Sequence, residues 1–212
     1  MMAPMLLDLV LATLALTAAL SMRPWRAVGP GGPPWPWLVC AAVLPLLWGA
    51  DRYAATPLAL PQSGVCLLLL LCGWPLAVLA LVPVAIVTAV AGELGLAQAL
   101  QRAVWLGLVP ATLALGLGAA IRRWLPNQLF IYILGRGFFA TALALTATAL
   151  LSALLHEPPP ALQPGDWLLA RLLAAWGDAF ITGMLVALFV AFRPQWLATY
   201  TDRLYLAGPP PP

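Results

Sequence analysis

The sequence predicts an all-α integral membrane protein, and three observations carry that reading. Hydrophobic residues make up 63% of the chain and charged residues only 8%, where soluble domains carry about 25% charged residues. Mean hydropathy is +0.96. The apolar residues fall in runs of helical length separated by Gly, Pro and charge. With 212 residues, the chain has room for one helical bundle and no sizeable soluble domain. The start lacks a basic leader, Asp8 interrupts it, and its apolar run is long enough to remain as a span rather than a signal peptide.

Between the breakers lie seven candidate spans, at 5–22, 36–50, 58–72, 74–91, 103–121, 128–155 and 167–192. Cys72-Gly73-Trp74-Pro75 leaves two readings: one kinked helix over 58–91, or two helices joined by a tight turn. Charge favours the second. With seven spans and the N-terminus outside, Arg23, Arg26, Arg122, Arg123, Arg193 and Arg203 share the cytoplasmic side. Asp51, Arg52, Glu93, Arg102, Glu157 and Asp166 then lie outside, as the positive-inside rule requires. Six spans would divide Arg23/Arg26 from Arg122/Arg123. The bundle is therefore expected over 1–192, followed by a cytoplasmic tail over 193–212 that ends in four prolines of disordered character. The 29–36 loop is likewise Pro/Gly-rich. The lipid bilayer is the first partner, and a bacterial inner membrane the expected location.

Tryptophans 25, 35, 37, 48, 74, 105, 124, 167 and 196 lie near predicted ends, as an interfacial belt would; only Trp176 is deep. Small residues recur at helical spacing at Gly107, Ala111, Ala114 and Gly118, and again at Gly137, Thr141, Ala144, Thr148 and Ser152. Such stripes let helices approach closely, and packing is their ordinary account; a substrate path along the hydroxyls is the alternative.

All ten basic residues are arginines, and the net charge is +3. No cluster exceeds Arg122-Arg123, so nucleic-acid binding is not expected. Cys40, Cys66 and Cys72 form no even framework and no CxxC spacing, and read as packing residues. No nucleophile elbow, zinc motif or phosphate loop occurs, and the sequence predicts neither an enzyme nor a cofactor. His156, the single histidine, begins His156-Glu157-Pro158. Imidazole beside carboxylate can hold a metal, but the default for such a residue is an exposed loop position.

Two charges fall inside predicted spans. Arg136 is ten residues beyond Pro126, about 15 Å into the membrane, and Asp178 is about 22 Å from Arg193 on the last span. An unpaired ion there costs at least roughly 2.5 kcal/mol. Snorkelling and tilt allow the two to meet, as an ion pair locking two helices or as a charge lining a substrate path. Arg171, Ala175, Asp178 and Thr182 share one helix face, a polar track from the outer surface. Met184 reads as packing rather than a soft ligand.

Leu125-Pro126-Asn127-Gln128-Leu129-Phe130-Ile131-Tyr132-Ile133-Leu134, then Gly177-Asp178-Ala179-Phe180-Ile181-Thr182-Gly183-Met184, then Phe192-Arg193-Pro194-Gln195-Trp196-Leu197-Ala198-Thr199-Tyr200 and Asp202-Arg203 to Tyr205-Leu206, resemble bacterial energy-coupling-factor transporter permeases. These are distant relatives of the cobalt/nickel substrate-capture permeases. The similarity covers about 90 residues well and Gly64–Leu79 more loosely. The resemblance implies an all-helical permease with an extracytoplasmic N-terminus, carrying cobalt or nickel as its transported ion. It also implies separate ATPase and transmembrane coupling subunits, met through the Arg122-Arg123 loop and the tail from Arg193. Family members that carry metal bind it through one histidine after the initiator Met and another in a Gly-His-Leu-Leu-Gly-like segment. Here those places read Met1-Met2-Ala3-Pro4 and, approximately, Leu60-Pro61-Gln62-Ser63-Gly64, so no metal ligand is assigned. The competing expectation is a non-transporting structural or assembly subunit of a larger membrane complex. A proton-coupled carrier using Asp178 is a third.

Overall fold

The computed structural model describes residues 2–28, 32–53, 60–156 and 163–205. Seven helices carry the architecture: α1 (Met2–Ser21), α2 (Trp35–Trp48), α3 (Val65–Cys72), α4 (Trp74–Ala91), α5 (Leu96–Trp124), α6 (Ile131–Leu155) and α7 (Pro164–Phe192). No strand occurs among the described residues. Five of the seven, α1 and α4 to α7, are long and apolar enough to cross a membrane. Large apolar side chains also cover the outside, among them Leu14, Val90, Leu154, Leu173 and Phe180. A surface of that kind suits lipid rather than water.

The tight-turn reading of residues 58–91 holds. Gly73 has φ 81° and ψ 163°, a backbone state that favours glycine, and Pro75 sits in the first turn of α4, where its missing N–H costs nothing. The chain reverses there. The residues leading into α3 contact Trp48 at the end of α2, and Leu81, two turns into α4, approaches the same indole across Gly107.

The shortest helix is the central one. Seven of the eight α3 residues are buried, and α3 touches α2, α4, α5, α6 and α7. Its length is about 12 Å, and residues 60–64 approach it in non-helical form. Irregular backbone at such depth is tolerated where protein surrounds it. The small-residue stripes pack as expected, with Gly107 against Leu81 and Trp48 and Gly137 against Val186; outside the stripes, Gly183 lies against Phe138.

Two helices widen locally to π-helix, α5 over Ala103–Leu108 and α6 over Ile131–Phe139. In α5 the sequence explains why a carbonyl is free. Pro110 has no N–H for the oxygen of Leu106, four residues earlier, and the Ser63 hydroxyl donates to that oxygen instead, at 2.6 Å.

The chain does not leave the bundle after α7. A turn at Pro194–Trp196 brings residues 197–205 back against it, with Leu197, Tyr200 and Tyr205 buried. The 192/193 boundary thus ends a helix rather than the packed unit. Met1, part of the Pro/Gly-rich loop (29–31), Glu157 with the prolines after it, Leu206 and the terminal prolines lie outside the described residues.

Candidate functional site

An eight-residue helix leaves as many unpaired main-chain groups at its ends as a long one, so a buried α3 needs partners at both. At its start, the Gly64 N–H donates to Asp178 Oδ2 at 2.9 Å, and the Val65 N–H faces the Ser63 hydroxyl at 3.4 Å. The hydroxyl of Thr182, one turn along α7, reaches Asp178 Oδ1 at 3.5 Å. Trp48 Nε1 donates to the Ser63 carbonyl at 3.0 Å, fixing the approach. A carboxylate at a helix N-terminus also gains from the peptide dipoles. Asp178 is therefore a cap supplied by another helix.

At the other end, the segment after α7 provides the donors. The Ala198 N–H donates to Leu71 O at 3.0 Å, and the Thr199 hydroxyl to Leu70 O at 3.1 Å. The Gly73 N–H closes Leu69 O at 2.9 Å. One stretch of chain, from Asp178 to Thr199, thus holds α3 at both ends.

Arg136 lies toward the second end. Its Nη1 donates to Thr199 O at 3.3 Å and to Tyr205 Oη at 3.5 Å, and its guanidinium carbon is 5.5 Å from the Tyr132 ring centroid. The expected Arg136–Asp178 ion pair does not form; the only salt bridge among the described residues is Arg102–Asp51, at 2.6 Å. The reason is geometric. The two charges serve opposite ends of the same half-helix, negative at its N-terminus and positive toward its C-terminus, as the dipole favours.

The shared face of α7 does turn inward, since Ala175, Asp178 and Thr182 are buried. It is not one continuous track, however. Arg171 binds α6, donating to Ser152 Oγ at 3.0 Å and lying 4.9 Å over the Trp167 ring. Met184 is half exposed on the outer face, as are Trp176 and Phe180. Of the tryptophans assigned to the belt, Trp48, Trp105 and Trp167 are buried within the protein, and the first two donate to internal acceptors.

Sequence reasoning missed several participants. Asp8 is buried on α1 and accepts the Trp105 indole N–H at 2.8 Å. His156 packs edge-on against that indole at 5.3 Å, so it is half-buried rather than an exposed loop residue. An acid inside an apolar run was the available signal for Asp8. For Gly64, it was a Ser-Gly pair directly before an apolar run. Tyr132, Tyr200 and Tyr205 form a ring cluster with centroids about 5 Å apart, and the Tyr132 hydroxyl lies 2.8 Å from Thr199 Oγ1. Burial, together with the Asp202 carboxylate, pushes the Tyr200 phenol up to about 12.

Chemically, the Asp178 site offers one carboxylate, two hydroxyls and main-chain groups. No cluster of three or more His, Cys, Asp or Glu able to hold a metal ion occurs among the described residues. No protein-family model, curated protein or solved structure matches the chain.

Proposed function

We propose that the chain is an inner-membrane, permease-like subunit of an energy-coupling-factor transporter, of the substrate-capture kind. The observation that supports this most is the broken helix. Many transporters build sites within a membrane from buried half-helices entered by non-helical backbone, whose N-termini face an anionic group; here Asp178 of another helix takes that place. The residues that clamp α3 here, Asp178 and Ala198-Thr199, are also those that carry the sequence resemblance. In this reading the chain crosses seven times, with its N-terminus outside and its C-terminus in the cytoplasm. A separate ATPase and a coupling protein supply the energy. Cobalt or nickel is the cargo that the resemblance names, and the donors around Asp178 are poor in the nitrogen that Ni²⁺ prefers.

The test is twofold. Equilibrium dialysis of purified protein should show binding of Co²⁺ or Ni²⁺ at micromolar concentration; none would remove the metal-capture version. Mild-detergent co-purification should return an ATPase with a membrane coupling protein.

One observation favours the competing reading, a structural or assembly subunit. Asp178 is satisfied by the protein itself, as a purely architectural cap would be. Recovery of a complex without an ATPase would select that reading.

A further inference from the structure

Below Arg136 lies a cavity of about 70 Å³, lined among others by Cys66, Leu69, Gly118, Arg136, Thr141 and Thr199. Two of these residues carry buried polar atoms with no nitrogen or oxygen partner among the described residues, Arg136 Nε and Thr141 Oγ1; the Thr141 hydroxyl faces only the Cys66 thiol, a weak hydrogen-bonding group. Thr141 is 1% exposed, so water outside the protein does not satisfy its hydroxyl. Buried groups of this kind are almost always paired. Neither is explained by the clamp around α3.

The charge is also unbalanced. Arg136 meets only neutral acceptors, a carbonyl and a phenol at 3.3 and 3.5 Å, and a ring face. No carboxylate lies within ion-pair distance of it among the described residues. The C-terminal end of α3 offsets at most about half a charge, and its Leu69, Leu70 and Leu71 carbonyls already have donors. What remains is a guanidinium edge beside a space large enough for a few waters or one small oxyanion, with a hydroxyl donor on the cavity wall. Guanidinium nitrogens favour carboxylate and phosphate oxygens over other acceptors. A divalent cation would be repelled.

We propose that this cavity binds an anionic oxygen group, a carboxylate or a phosphate, with Arg136 Nε and Thr141 Oγ1 as its donors. The group belongs either to a free solute or to a lipid headgroup. The proposal rests on the cavity alone and stands or falls independently of metal capture and of any ATPase partner.

The experiment uses the full chain, delipidated in a maltoside detergent, and follows its thermal midpoint. Titrants are sodium acetate, sodium phosphate and phosphatidic acid, with sodium chloride at matched ionic strength as the reference. At least one titrant should raise the midpoint beyond chloride. A response to acetate or phosphate identifies a solute site, and a response to phosphatidic acid alone identifies a headgroup site.

Arg136→Gln should weaken the response about tenfold or more, the worth of one charge-assisted hydrogen bond. Gly118→Ala tests the same cavity from α5, since its Cβ would stand 3.1 Å from Arg136 Nε. Thr141→Val guards against misfolding, because it removes a buried hydroxyl whose neighbour is only a weakly bonding thiol. It should leave the unliganded midpoint equal or higher while reducing the ligand-dependent rise. No response in the wild-type protein, or a full response in Arg136→Gln or Gly118→Ala, overturns the proposal.

Discussion

At the scale of single residues, Asp178 combines two roles that make opposite predictions. As a cap, it needs only an acceptor for the Gly64 N–H. Asp178→Asn retains an amide oxygen, whereas Asp178→Ala leaves a buried donor unpaired at a cost of about 1–3 kcal/mol. Thermal unfolding should therefore rank wild type above Asn and Asn above Ala. If Asp178 instead carries protons, Asp178→Asn abolishes uptake while stability holds. Arg136 supplies a second measurement. Because the two charges share no hydrogen bond, Asp178→Asn and Arg136→Gln should destabilise additively, to within about 0.5 kcal/mol. Rescue of one by the other would restore the ion pair that the geometry excludes. The depth of each charge could be read in the sequence from helix rise. Their partners could not, because burial demands some partner without naming it, and main-chain donors leave no mark in residue identity.

At the scale of elements, α3 shows where periodicity stops being informative. Its residues form a continuous apolar run, which predicts burial but carries no face. A breaker marks its far end correctly, Gly73 at the turn into α4, whereas the predicted span runs through the Ser63-Gly64 pair at its start. Among the described residues of the span predicted over 58–72, helix begins only at Val65, because Gly64 takes a left-handed conformation, φ 61°. Gly64→Ala tests this directly. The left-handed backbone costs about 1–2 kcal/mol in a residue with a Cβ. That Cβ would also lie 2.8 and 2.9 Å from the ends of Leu44 and Leu47, which overpacks the core by roughly 1–3 kcal/mol. Circular dichroism melts should show a loss of several degrees with helix content retained at low temperature. The return segment is testable in the same way. Thr199→Val removes the donor to Leu70 O and the partner of Tyr132, and should cost about 1–3 kcal/mol. No apolar periodicity announced that segment, since a turn and a few buried aromatics hold it in place.

At the scale of the whole molecule, the arginines predict that the helices alternate in direction across the bilayer. Arg23 and Arg26 follow α1, Arg122 and Arg123 end α5, Arg136 lies near the start of α6, and Arg193 follows α7. Contacts draw several of these positions toward one end of the bundle, since Trp37 donates to Trp196 O and Arg136 reaches both Gly118 and Thr199. Asp51, Glu93 and Arg102 lie toward the other, where Arg102 bridges to Asp51 and also donates to the Trp48 carbonyl. Charge alone orients such a bundle in a bilayer, so the arginine end should face the cytoplasm. The check uses single cysteines on a Cys40→Ala background, since Cys66 and Cys72 are buried. Leu96, 79% exposed, and Met22, 60% exposed, stand at opposite ends. In intact cells, a membrane-impermeant maleimide should label Leu96→Cys and spare Met22→Cys. Permeabilisation should expose both. The reverse pattern would invert the whole arrangement and place the Arg136 cavity toward the outside. Equal labelling of both sites in intact cells would break the alternation at Gly73 on which the orientation depends.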